Sequence, residues 1–161
     1  MQEKQKKWIL RIALYLIGIM VLALGITLNT KTNLGVSPII SMPYAVAQIF
    51  GYETGTAVFV AYLIFIVLQI VLLKGKFPPF QFLQVAASYL TSAFITIFDW
   101  ILPTPDQMGM RLLVLALAII LTGIGAAVTV DVNIVPNPAD GLARVCLLYT
   151  SPSPRDSTSS R

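Results

Sequence analysis

The chain has 161 residues, 57% of them hydrophobic and 11% charged, with a formal net charge of +4. A soluble domain of this size carries about 25% charged residues, so a surface this poor in charge has to face lipid. There is no histidine and the single cysteine is Cys146, which excludes internal disulfides, Cys/His metal sites, haem ligation and Cys/His catalysis. The basic residues sit at the ends of apolar runs, as topology signals do, and form no continuous patch with aromatics, so nucleic acid is excluded as a partner.

A helix that spans the bilayer needs about 20 apolar residues. Four runs reach that length: 8–28, 54–73, 80–102 and 112–130. In lipid every backbone group must be paired within the segment, so each run is expected as a helix. The expected fold is all-α, a polytopic transmembrane bundle of four spans plus one short helix. The first run has a basic start like a secretory signal. It is longer than a signal's apolar region and lacks an A-x-A cleavage site, so it reads as an uncleaved first span. Lys4, Lys6, Lys7 and Arg11 precede or open this span, and Lys74 and Lys76 lie between the second and third. Four spans place all of these on one side together with Arg144, which predicts a cytoplasmic N-terminus in a bacterial cytoplasmic membrane. Trp8 and Trp100 sit at span ends, where indoles prefer the interface.

Between the first two spans lies PIISMPYAVAQIF, residues 38–50, apolar but too short to cross. Such a segment is interfacial or re-entrant. Ser37 reads as its N-cap and Pro38 as its first helical residue, with Gly51 closing it. If the helix dips into the membrane, the turn Asn33, Gly35, Ser37 and Pro38 presents free amides and the positive end of a helix dipole to a solute. A turn that only satisfies its own backbone is the structural alternative.

The third run carries a polar stripe of Gln81, Gln84, Ser88, Thr91, Ser92 and Asp99 on one helical face. Lipid penalises these groups, so they face the bundle interior, as hydrogen bonds between helices or as the wall of a solute pathway. Gln84 and Ser88 are the stripe residues expected to touch a solute. In the fourth run Thr122, Gly125, Ala126 and Thr129 form a small-residue strip suited to close helix packing, and Gly18 and Gly25 play the same part in the first.

Residues 10–38 align with 110–138 at a constant offset of 100, without gaps. Arg11, Ile19, Gly25, Asn33 and Pro38 recur as Arg111, Ile119, Gly125, Asn133 and Pro138. Each copy runs from an arginine through an apolar span to an asparagine and a cap–proline pair, Ser37-Pro38 and Asn137-Pro138. The second copy opens three spans after the first, with two spans between them, so they are inserted in opposite directions, the pattern of an inverted repeat. Asn133 and Asp140 are then the second copy's contribution to a solute site, with Asp140 adding a carboxylate.

The stretch NLGVSPIISMPYAV, followed by Tyr52-Glu53-Thr54-Gly55 and the spans containing Leu-Gln, resembles the YczE/YyaS/YitT-like bacterial membrane proteins. The resemblance covers about residues 8–145 and is most specific from Asn33 to Pro43. It implies a multi-span bacterial inner-membrane protein with no assigned substrate. Members are longer, which implies that the repeat is truncated here. The second copy departs from the motif at Val135, where the first has Gly35.

From Cys146 onward the text becomes polar and rich in serine and proline. CLLYTSPSPRD resembles the translation of a transposon-based sequencing adapter, so residues 146–161 are expected to be a non-native, disordered tail. The expected function is a permease-like transporter of an unknown small solute, with no cofactor and no metal. The competing expectation is a membrane scaffold or assembly factor. No paired carboxylates, Ser-His pair or phosphate-binding glycine loop supports an enzyme.

Overall fold

A computed structural model describes residues 2–73, 82–132 and 134–150. The described residues form six helices: α1 (Gln2–Lys31), α2 (Pro38–Phe50), α3 (Thr54–Leu72), α4 (Leu83–Ile101), α5 (Met108–Val132) and α6 (Pro138–Thr150). The spans lie where hydropathy places them, but α1 and α5 extend beyond the apolar runs. Gln, Glu and Lys ahead of Trp8 are good helix formers, so the helix outlasts the apolar segment.

Among the described residues, three helices are long and apolar enough to cross a membrane: Gln5–Lys31 within α1, Thr54–Leu72 and Met108–Val132. The expected fourth span, α4, is not among them. It is as long as α3, with 19 residues, but its polar stripe dilutes its apolarity. Large apolar side chains cover the outside of the bundle, Ile9, Val67, Leu113 and Ile120 among them. Such a surface suits hydrocarbon, not water.

Helix α1 packs along α5, and α4 packs against both α1 and α3. The short helices α2 and α6 each rest on α3. Leu22, Ala23, Ile26, Ile40, Val58, Tyr62 and Ile95 form the buried core. Small residues govern the α1–α5 contact. A Cβ on Gly25 would come within 2.6 Å of the Thr122 backbone nitrogen, and one on Gly125 within 2.5 Å of the Leu22 nitrogen. Gly18 meets Thr129 in the same seam. As the α1 residue rises from 18 to 22 to 25, its partner falls from 129 to 125 to 122, so the two helices are antiparallel.

The short helix after α1 has the expected bounds. Pro38 opens it, and Gly51, at φ 70°, closes it with its N–H donated to the Ala47 carbonyl. Ser37 occupies the N-cap position but makes no side-chain cap. The expected disorder from Cys146 needs correction: α6 runs on through Cys146 to Thr150, because Cys-Leu-Leu-Tyr adds a further apolar turn. Ser151 to Arg161, the remainder of that tail, lie outside the described residues.

Candidate functional site

The turns ahead of α2 and α6 hold the two short helices against the α1–α5 pair. On one side, Tyr15 of α1 donates its hydroxyl to the Val135 carbonyl at 3.0 Å. On the other, Gly35, Val36 and Ser37 line a shallow groove with Leu115 and Ile119 of α5. Between the turns lies a cavity of about 140 Å³. Its walls come from α1, α5, the starts of α2 and α6, and Tyr62 of α3. Twelve of the lining residues form pairs whose numbers differ by 100. They are Leu22 with Thr122, Ile26 with Ala126, Asn29 with Thr129, Ser37 with Asn137, Ile39 with Ala139, and Ile40 with Asp140.

The two helix starts differ chemically. At α6 the Asn137 side chain accepts a hydrogen bond from the Ala139 N–H at 3.3 Å, so the first turn is capped. Tyr62 of α3 lies close to the Asn137 side chain and to the Asp140 carboxylate. At α2 there is no such cap, and Pro38 has no N–H to offer. Asn29 Oδ1 and Thr122 Oγ1 are buried at the cavity wall and have no hydrogen-bond partner.

Among the residues singled out from the sequence, the cavity brings together Ser37 and Asp140. Gly35 lies in the adjoining groove with φ 127°, a conformation that suits glycine. Asn33 is exposed, sits at φ 53°, and accepts a bond from the Tyr44 hydroxyl at 3.3 Å, so it shapes the turn rather than the cavity. Pro38 is exposed at the mouth of α2. Asn133 lies outside the described residues. Asn29, Thr122 and Asn137 complete the polar wall. The offset of the repeat points to Asn137 as the partner of Ser37. Nothing local marks Asn29, which reads as one polar residue near a span end.

Gln81 lies outside the described residues, and the described residues of the α4 stripe do not line this cavity. Ser88 and Thr91 donate their hydroxyls to carbonyls one turn back, those of Gln84 and Ala87. Ser92 donates to the Gly55 carbonyl of α3 at 2.7 Å. Asp99 forms an ion pair with Lys31 at 3.0 Å. Gln84 is fully buried with Gln69 beside Gly141, where Gln69 donates to the Pro138 carbonyl at 3.0 Å. These groups join α3, α4 and α6. The hydroxyls of the stripe are satisfied inside the bundle, where they turn to the nearest carbonyl, whereas both amide atoms of Gln84 and Oε1 of Gln69 are buried without a hydrogen-bond partner.

The family of unknown function DUF6198 matches residues 9–150. The chain belongs to that family. The match spans both cap–proline turns and both short helices, so the cavity is built wholly from family sequence. No curated protein and no solved structure matches the chain.

Proposed function

We propose that the chain forms the core of an inverted-repeat permease whose solute site is the cavity between the two cap–proline turns. The observation that carries this reading is the pairing of the cavity wall, in which six positions of α1, the turn after it and α2 share the lining with their counterparts 100 residues on. A cavity lined by equivalent residues of two copies lies on the axis that relates them. Inverted-repeat transporters place their solute sites there, at the ends of interrupted or short helices.

Three further features support the repeat. Gly25 against Thr122 and Gly125 against Leu22 are one contact repeated with the copies exchanged. Helices α2 and α6 begin at equivalent positions, Pro38 and Pro138. Antiparallel α1 and α5 require an even number of crossings between them. Helix α2 is about 20 Å long against a hydrocarbon core of about 30 Å, so α3 and α4 are the two that cross. Four spans and a cytoplasmic N-terminus in a bacterial cytoplasmic membrane, set by Lys4, Lys6, Lys7, Lys74 and Lys76, follow in this reading. So does kinship with the YczE/YyaS/YitT-like proteins.

The repeat also assigns a role to the outer face of α2. Pro138, Gly141 and Val145 of α6 are buried, whereas their counterparts Pro38, Ser41 and Ala45 are exposed. In a complete repeat, counterparts of α3 and α4 cover that face.

Water access to the cavity separates a permease from a scaffold. With Cys146→Ser as background, Ser37→Cys and Ala126→Cys should react with a membrane-impermeant thiol reagent. A scaffold with a dry, packed seam predicts that neither reacts while an exposed control, Gln107→Cys, does. That result would reject the permease reading.

A further inference from the structure

We infer that the cavity takes a small organic monocation, a compact alkylammonium, with Asp140 as its counter-charge. The inference rests on the permease reading for solute access and deepens it by fixing the charge and size of the solute. Among the lining residues Asp140 is the one acidic side chain, and none is basic. No ion pair within 4 Å engages it among the described residues. Arg144, one turn further along α6, is exposed and opens with Asp140 onto a separate outer groove. A carboxylate at membrane depth needs a compensating charge, and a bound cation supplies one.

The neutral polar groups agree in sign. Asn29 and Thr122 line the cavity from opposite sides of the α1–α5 seam, and their side-chain oxygens, that of Thr122 set against Gly25, are buried without partners. An ammonium group carries only donors, so carbonyl and hydroxyl oxygens complement it. An anion finds little here. Asn137 caps the Ala139 amide at the start of α6, Asp140 repels negative charge, and Pro38 removes a donor from the start of α2. Leu22, Ile26, Ile40 and Ala126 give the rest of the wall an apolar character that suits an alkyl group and not a bare metal ion. A cavity of about 150 Å³ accommodates benzene, so the space of about 140 Å³ limits the solute to roughly six heavy atoms.

The test uses the full chain purified in uncharged detergent and n-propylammonium chloride as probe, with thermal unfolding and calorimetric titration as readouts. Propylammonium should raise Tm saturably, while equal concentrations of sodium propionate or sodium chloride should not. Asp140→Asn should weaken binding at least about tenfold, because it removes the only charged partner that the cavity wall offers the cation. Asp140→Glu, which keeps the charge, should retain binding within a few fold and guards against a folding defect in the amide variant. Stabilisation by propionate or by sodium alone would overturn the inference, as would propylammonium binding that Asp140→Asn leaves unchanged. If propylammonium has no effect while Ala126→Cys reacts with aqueous reagent, the cation inference fails and the permease reading stands. If Ala126→Cys is unreactive but propylammonium binds in an Asp140-dependent way, the cation site stands and the permease reading fails.

Discussion

Glycines set how closely α1 and α5 approach. A methyl group on Gly25 or Gly125 would meet backbone atoms of the facing helix, which cannot rotate aside as a side chain can. Gly25→Ala and Gly125→Ala should each destabilise the bundle by about 1–3 kcal/mol through overpacking, read as earlier unfolding in a denaturant titration. Gly109→Ala and Gly123→Ala provide the contrast, since a Cβ at either meets nothing within 4 Å. These two should be neutral or slightly stabilising, given alanine's better helix propensity. The seam was legible in advance at Gly18, Gly25, Thr122, Gly125, Ala126 and Thr129, because small residues at helical spacing mark close packing whatever the partner. Which glycine met which residue was not legible, because that depends on the crossing of two helices far apart in sequence.

The elements sort into those that cross and those that position the cavity. The stripe on α4 tethers it to α3, with Ser92 bonded to the Gly55 carbonyl as the clearest link between the helices. Ser92→Ala should cost only about 0.6 kcal/mol, the average for a hydrogen bond between membrane helices. Gly55→Leu should be far more damaging, since a Cβ there would already lie 2.5 Å from the Ser92 carbonyl oxygen. Comparing the two variants in the same unfolding titration tests whether close approach or the hydrogen bond holds α3 to α4. Sequence pattern found the stripe but left two fates open for it. Periodicity says which face is polar, and it is silent on whether that face meets a cavity or a neighbouring helix. At the C-terminal end, composition placed a boundary at Cys146 that α6 does not observe, because a helix end is set by local apolar continuity and capping.

At the scale of the whole molecule, the crossing argument gives a prediction about topology. If α3 and α4 both cross, Gln107 and Lys76 face opposite sides. With Cys146→Ser as background, Gln107→Cys should label from outside intact cells and Lys76→Cys should not. Labelling of both from outside would mean that α4 does not cross and that the N-terminus is not cytoplasmic. Ionic contacts matter less to the architecture. The Lys31–Asp99 pair is partly exposed, with side-chain accessibilities of 19% and 31%, so Asp99→Asn should cost no more than about 1 kcal/mol. Added salt should shrink that difference in the same titration, as screening of a partly exposed pair requires.

Hydropathy and proline placement determined the helices from sequence alone. Apolar length, a proline at the first helical position and Gly51 after the last act within a few residues, so neighbours in sequence suffice to read them. The constant offset also identified which positions of the two copies correspond. Tertiary structure alone decided what those positions do. Asn29, Ser37, Thr122, Asn137 and Asp140 become one wall only when antiparallel α1 and α5 bring the two helix starts to the same place. The buried, unpartnered oxygens of Asn29 and Thr122 are likewise properties of that meeting. A cavity is space left between elements, and space depends on crossing geometry and side-chain volume summed over residues distant in the chain. No local pattern encodes it.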